Sequence, residues 1–553
     1  MVNTKSFYSL LTLTAILFVC NTNSFAQSPQ KLWDSFYNGA LNGKDEANNV
    51  LADSSGNVFV TGISFQTFSG GNFTTIKYDG GGSQLWADHF SNTQASYTNY
   101  GSRLVMDKWQ NVYAIGTTAL NDGDLAICKY NSNGRIWAKN YEPYYFSTYD
   151  DYGIDMDVDS SGNFYAIARV TSPSGNLYDM YIIKCDSSGT KIWDNNYTGA
   201  SDDDYPVAID VTPGGTAYPL LQSFNFFGTQ TQDITTIQFL SNGVQNWFSN
   251  YNGPGNEDDY PTSIKVDELE NQYVCGTTDA GPNNDMVAMK QNIYGTRLWV
   301  ITYNGTANGN DTAVSETWLP NGFVAVTGKS KELLNSTIVD AIVTMLIDSG
   351  TIVWTNKFYG SDNLGASPSQ MITDAQGNIY ICGFENLTGG TTNGCTIKYD
   401  INGSLLWNIS YDAGANLNDK FNSITLDNNN DILVTGQTFT SVANSNYVTV
   451  KYGNISTGIS SNTDIVKDFY LFQNYPNPFN PTTIIKYQLP NTSHVSLEVY
   501  DVLGNEIVIL VNEERPAGTY EIQFDASNLS SGTYFYKLKA AEFFETNKMI
   551  LLK

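Results

Sequence analysis

Six acidic loops hold the side chains of this chain best suited to do chemistry. They centre on Asp45, Asp150, Asp203, Asp258, Asp311 and Asp419, each shortly after the same kind of aromatic strand. Carboxylates converging from equivalent loops bind Ca²⁺ or another cation, or hold a sugar hydroxyl. The same residue types also open turns by bonding their own backbone, and both readings stand on the sequence. No loop has the Asp-x-Asp-x-Asp-Gly spacing of an EF-type site. The run from Asp427 to Asp431 looks similar only because an ordinary repeated turn passes through it. Tyr144, Tyr145, Tyr149, Tyr205 and Tyr260 lie near these loops. An aromatic face there either stacks on a sugar ring or packs between repeats.

Other chemistry is scarce. His89 and His494 are the two histidines of the chain, which argues against Ser-His, Cys-His and multi-His mechanisms, all of which need an imidazole as base or ligand. Five cysteines follow residue 26: Cys128, Cys185, Cys275, Cys382 and Cys395. An odd number at irregular spacing is no disulfide framework. They fall in apolar strands, where a free thiol behaves as a small hydrophobe; Cys382 and Cys395 flank one hairpin, the one place where a pair could form. No cofactor is expected, and Ca²⁺ is the one ion the loops suggest. With 28 basic against 55 acidic residues, the surface repels phosphate backbones and suits solubility outside a cell.

The elements that position these loops repeat. Trp33, Trp86, Trp137, Trp193, Trp247, Trp299, Trp354 and Trp407 recur at a period of roughly 53 residues, the mark of a repeat architecture. An aromatic follows each Trp by four residues on the same strand face, as Tyr37 follows Trp33. A short strand then runs into an Asp, as from Ala47 to Asp53. Next comes an Asp-x-x-Gly-Asn turn and an apolar strand, best preserved at Asp53, Asp159 and Asp374 and poorer at Asp107, Thr212, Asp267 and Leu319. A strand ending in Lys-Tyr-Asp or a relative closes the unit, as at Lys77, Tyr78 and Asp79. Strands such as Val58 to Val60 are apolar on both faces, which predicts sheets stacked against each other rather than one sheet with a wet side.

This unit resembles the bacterial β-propeller repeat family named for seven-bladed propellers, over roughly residues 30–453. The resemblance implies a fold and says little of chemistry. Eight copies of each piece predict an all-β chain built on an eight-bladed β-propeller. The array begins on a Trp strand and ends on Val450, Lys451 and Tyr452. If the Trp strand is the outermost of each blade, the strand around Trp33 must complete the last one.

Both ends carry further signals. Lys5, an apolar run from Phe7 to Cys20 and a Ser24-Phe25-Ala26 site predict a signal peptide over 1–26, cleaved between Ala26 and Gln27. Residues 454–468 are small and polar and read as a linker. Residues 469–553 show short strands between turn residues, a small Ig-like β-sandwich. The stretch from Tyr475 through Pro476, Asn477 and Pro478 to Phe479 closely resembles the C-terminal sorting domain of type IX secretion cargo, as do the segments around Gly504, Gly518 and Gly532 and the terminal run ending at Lys553. That resemblance implies export through the periplasm to the outer cell surface or the medium, with the secretion machinery as partner. It also implies removal of the tail, with the rest released or attached. The expected function is a non-enzymatic binding or interaction protein, its ligand a polysaccharide or a surface protein; no nucleic acid and no transmembrane span are expected. The alternative is a polysaccharide lyase or hydrolase using paired carboxylates, which need no histidine.

Overall fold

The structure is a computed structural model that describes residues 28–552 apart from 68–69, 91–98, 119–123, 143–150, 173–176, 200–202, 225–230, 320–321, 415–416, 454–468, 475–476, 490–492, 516–517 and 542. The predicted signal peptide, the cleavage site at Ala26 and Gln27 and the linker lie outside the described residues, as do Asp150, Tyr144, Tyr145, Tyr149, Pro476 and Lys553. The described chain is strand and turn, and it divides into two compact units, up to Ile455 and from Ser456.

The first unit opens with β1 (Gln30–Tyr37) and continues through β2 (Glu46–Ala52), β3 (Val58–Thr67), β4 (Gly70–Tyr78) and β5 (Gln84–Phe90). The last four form one antiparallel sheet in sequence order. Six more sheets repeat that order, and an eighth is made of Asp419–Leu426, Ile432–Phe439, Ser445–Gly453 and β1. The arrangement is propeller-like. The first strand of each sheet packs on the first strand of the next, and that of the eighth packs on β2. β1 supplies the eighth sheet's missing edge, with Trp33 opposite Lys451 and Tyr37 opposite Tyr447, so the shared closure expected from the repeat count is present.

Local chemistry explains why the motif recurs. The Asp53 carboxylate accepts the backbone N–H groups of Ser55 and Asn57, both at 2.9 Å, and the Asn57 side-chain amide at 2.7 Å. Gly56 sits at φ 79°, a conformation that favours glycine, and donates to the Asp53 carbonyl. Asp107, Asp159, Asp267 and Asp374 make the same side-chain bonds. At the poor copies Thr212 and Leu319 the backbone bonds of the turn alone persist, joined at Thr212 by its hydroxyl.

The recurrent Trp is a latch between sheets. Trp33 donates its indole N–H to the Gly80 carbonyl in the next sheet's hairpin at 3.0 Å; Trp193, Trp247 and Trp354 do the same at 2.9–3.0 Å. Each of these rings lies on the hairpin glycine, so that a Cβ on Gly82 would stand 2.6 Å from Trp33. The recurrent Lys reaches the same hairpins: Lys129 donates to the Ser187 carbonyl at 2.9 Å and lies over the Tyr113 ring. Middle strands such as Val112–Thr118 are buried throughout, as apolar surface on both faces of a stacked sheet requires.

The second unit has two sheets, one of Tyr470–Leu471, Thr482–Leu489 and Gly518–Asp525, the other of Glu506–Arg515, Ser493–Tyr500, Gly532–Ala540 and Phe543–Leu551. Burial alternates along Thr482–Leu489 and Ser493–Tyr500, placing Ile485, Tyr487, Leu497 and Val499 in one core with Tyr536 and Leu538.

Candidate functional site

The acidic loops are built differently from a convergent ligand face. Asp45, Asp311 and Asp419 are buried. Asp45 accepts the N–H groups of Gly39 at 2.5 Å and Phe65 at 2.7 Å. Asp311 accepts those of Gly305 at 2.6 Å and Lys331 at 2.7 Å. Asp419 accepts that of Ala413 at 3.0 Å. In two repeats the equivalent clamp is one residue beyond the one expected: Asp204 holds Gly199 and Ser223, and Asp259 holds Gly253 and Asp279. Asp203 and Asp258 instead accept the N–H groups of Tyr178 and Gln232, each at the start of the third strand of the preceding sheet. Of the two readings the sequence leaves open for these loops, backbone bonding is the one these contacts match. Each of the five described residues accepts backbone N–H groups, from its own loop or from a strand the loop passes, because buried N–H groups there need an acceptor. Tyr205 is tied to Asp203 at 2.7 Å, whereas Tyr260 is exposed.

The five described cysteines are free and buried, including Cys382 and Cys395, so the hairpin pair does not form. His89 bonds Tyr37 and Thr74 between β1 and β4, a packing role. Among the described residues, no group of three or more His, Cys, Asp or Glu is arranged to hold a metal ion.

The strongest concave feature is one the sequence reading missed. A cavity of about 620 Å³ lies where the eight first strands meet, and every one of them contributes to its wall. Each first strand is the inner edge of its sheet and carries the same one-residue bulge near its start, as between Ala47 and Asn49 or Ala313 and Ser315. Its unpaired N–H groups are met by side chains of the preceding sheet. Asn49 accepts from Leu104 at 3.0 Å, Asp155 from Ile209 at 3.1 Å, Gln370 from Ile424 at 2.9 Å and Ser423 from Val50 at 3.3 Å.

Charge is concentrated on one side of this axis. Arg103 pairs with Asp155 at 3.1 Å and Lys265 with Asp210 at 3.2 Å. Asp157 accepts the N–H groups of Val158 and Val211. Burial, and then the neighbouring Asp210, push the Asp157 carboxyl up to about 7. Glu316 stands where other repeats carry Val50, Leu104, Ile209, Ile264, Met371 or Ile424. It is 2 % exposed; its Oε2 meets the Cys275 thiol at 2.7 Å and its Oε1 has no hydrogen-bond partner. Burial raises its carboxyl to about 7, with Cys275, Lys265 and Ser263 pulling it back down.

In the second unit the described sorting residues are structural. The Asn477 side chain accepts the N–H of Ile550 at 2.8 Å and donates to the Lys548 carbonyl, pinning the segment around Pro478 to the final strand. Gly504, at φ 81°, closes an Asp501 turn with the same bonds as the Asp53 turn. Gly518 and Gly532 each begin a strand.

No curated protein matches the chain. Among solved structures it is similar to a protein of unknown function from Bacteroides caccae, at 14 % identity over 54 % of this chain and 93 % of that one, with a TM-score of 0.32. It is similar to PorZ, a surface component of the type IX secretion system of Porphyromonas gingivalis, at 10 % identity over 92 % and 74 %, TM-score 0.37. It is also similar to the polysaccharide lyase Uly1, at 9 % identity over 77 % and 98 %, TM-score 0.39. Residues 473–552 match the model of the secretion system C-terminal sorting domain, which marks the chain for the type IX machinery and for export to the cell surface or the extracellular space.

Proposed function

We propose that the first unit is an eight-bladed β-propeller acting as a non-enzymatic binding module, delivered outside the cell by an Ig-like sorting sandwich. One observation carries the reading: the repeated polar residues are consumed in holding the ring together. The Trp indoles, the turn Asp and Asn groups, the Lys amines and the loop carboxylates bond neighbouring backbone and side chains. What remains for function is the shape and surface of an even ring, which suits recognition of a polymer or a surface protein.

The test is a polysaccharide array and an outer-surface pull-down with the full chain after signal removal, with polymer length followed in parallel. Saturable binding without shortening supports the module; shortening of a bound polysaccharide overturns it. A second reading, a polysaccharide-active enzyme, is favoured by Glu316 beside the axial cavity, since a carboxyl raised towards neutral pH suits a general acid. In that case polymer shortening is lost in Glu316→Gln.

A further inference from the structure

We propose that the seam between the sheet ending in Arg297–Tyr303 and the sheet after it holds a pocket for one acidic sugar unit, its carboxylate received by the Lys290 ammonium and its ring laid against Trp299. The pocket is of single-sugar size and is tested with the free sugar acid, so the inference stands apart from whether the ring of sheets binds a polymer.

The pocket exists because one joint of the ring is not made. Elsewhere the recurrent Trp and Lys donate to a carbonyl in the last hairpin of the next sheet, as Trp193 and Lys184 both do to Ser241 at 3.0 and 3.1 Å. The turn that faces Trp299 and Lys290 is one residue shorter, with Asp348 paired directly to Thr351 across Ser349 and Gly350. The other shortened turn, at Ser132 and Asn133, is reached by Trp86 and Lys77 only at 3.4 Å. At Ser349 and Gly350 neither bond forms. Among the described residues Lys290 makes no hydrogen bond or ion pair, and its ammonium lies over the Tyr273 ring, 4.7 Å from the centroid; the Trp299 N–H has no acceptor either. Both side chains are partly exposed and neither polar atom is buried, so two donors stay open to solvent. The retracted turn also uncovers the indole. A Cβ on Gly82, Gly243 or Gly295 would meet Cδ2 of the facing Trp, whereas one on Gly350 would meet only the Cβ, Cγ and Cδ1 end of Trp299.

The space left is a cavity of about 250 Å³, whose wall includes Tyr273, Lys290, Leu298, Trp299, Val324 and Ser349. Lys290 is the one ionised group in that wall. Asp267 is engaged by the N–H groups of Leu269 and Asn271 and by the Tyr273 hydroxyl, and Asp348 by the Ser349 hydroxyl. An entering anion therefore finds a free ammonium, whereas an entering cation finds no carboxylate in the wall. The volume lies below the about 300 Å³ at which pockets for drug-sized ligands begin, which limits the occupant to a single ring or a short chain. An indole face takes the C–H groups of a saturated ring, and Leu298 and Val324 add apolar surface beside it. A carboxylate on a pyranose uses the cation, the indole and the apolar wall together; an inorganic anion uses the cation alone.

A ligand-observed NMR titration of the full chain with sodium glucuronate tests this, with glucose and sodium acetate as parallel titrants. One saturable site for glucuronate is expected, with weaker binding of acetate and none of glucose. Lys290→Leu should lower the glucuronate affinity roughly tenfold or more, as loss of a charged hydrogen bond implies. Leu346 holds the same place in the next sheet, so the variant is expected to fold, and a thermal melt checks it. A second variant carries one Ser inserted after Ser349. The turn then reads Asp-Ser-Ser-Gly-Thr, as from Asp186 to Thr190, where Lys129 reaches the Ser187 carbonyl at 2.9 Å. That insertion should make the missing joint, abolish glucuronate binding and leave the melting temperature no lower than the parent's. Should Lys290→Leu unfold, the insertion decides. Absence of saturable glucuronate binding overturns the proposal. Unchanged affinity in either folded variant, or glucose or acetate binding as tightly as glucuronate, also overturns it.

Discussion

Deleting residues 28–37 tests the closure of the ring most directly. β1 is the one strand whose sheet partners lie at the far end of the array, so it joins chain ends about 420 residues apart; the packing of β2 on Asp419–Leu426 holds those ends together in the deletion too, so the loop entropy of about 5 kcal/mol cancels from the comparison. Removing it frees eight strand residues, and the entropy regained is of the same size as the net worth of the ladder bonds lost, roughly 1 kcal/mol per residue on each side. The side chains then decide. Trp33 and Tyr37 pack against the core of the first and eighth sheets, worth about 2 kcal/mol each at partial burial. Five bonds go with them, from Trp33 to Gly80, from Ser35 to Gly82, from Tyr411 to Asp34, from Gln66 to Tyr37 and between Tyr37 and His89, at about 1 kcal/mol each. After side-chain entropy the loss is about 7 kcal/mol. For a cooperative unit of this length the unfolding entropy is about 0.9 kcal/mol per kelvin, so the melting temperature should fall by about 8 °C. Calorimetry of the deletion beside the parent measures it, with Leu32→Ala, at an exposed position on the same strand, as a control expected to stay within about 0.5 kcal/mol. A deletion that melts within a degree of its parent would refute the reasoning.

Further outcomes follow from the same contacts. Glu332 pays for burial, yet bonds from Lys357, Thr306 and Tyr303 hold its carboxyl down at about 2. Its contribution is therefore complete above the ordinary value near 4.5 and is lost as pH falls from there towards 2. Acid unfolding curves of Glu332→Gln should lack that part of the slope, and an unchanged slope would dismiss the assignment. Glu316 has the opposite sign: its raised carboxyl weakens the fold as pH rises from about 4.5 through 7. Glu316→Leu should thus gain on the order of 3 kcal/mol over the native chain at pH 8 and much less at pH 5, measured by urea midpoints. Burial pushes the thiols up, Cys128 and Cys185 to about 12, so a thiol reagent should find almost none in the folded chain and five in denaturant once residues 1–26 are gone; rapid reaction under native conditions would contradict the burial. Removing residues 469–553 should leave a folded ring that stays in the periplasm; its normal appearance in the medium would count against the tail as the export signal.

Much of the fold was legible because its causes are local. An Asp-x-x-Gly-Asn turn binds its own backbone, so it reads the same at Asp53 as at Asp374. The closure followed from counting, since an array that starts on an edge strand and lacks one at its end leaves a row of unpaired groups that only the first strand can meet. The loops were legible only in part. Sequence located the right segments but not which carboxylate turns inward, a choice between adjacent residues that depends on the direction of the strand that follows. Asp204 and Asp259, not Asp203 and Asp258, reach the buried N–H groups.

The cavity was illegible for a different reason. Its wall takes a few residues from each repeat, about 50 positions apart, and a ring of this kind brings together what no local window contains. Yet one signal was present. Written in register from the bulge, the same position of the first strand reads Val50, Leu104, Met156, Ile209, Ile264, Glu316, Met371 and Ile424. A repeat tolerates polar variety at positions that cap a neighbour's backbone, as Asn49, Asp155, Gln370 and Ser423 show. It gains nothing structural from an acid at a position that is otherwise aliphatic, and burial makes that acid costly. In first strands whose other conspicuous side chains are explained by the joints they make, the departure at Glu316 is the residue that the scaffold does not account for. It follows that leucine there should strengthen the ring, and the more so as pH rises and the acid would have to ionise.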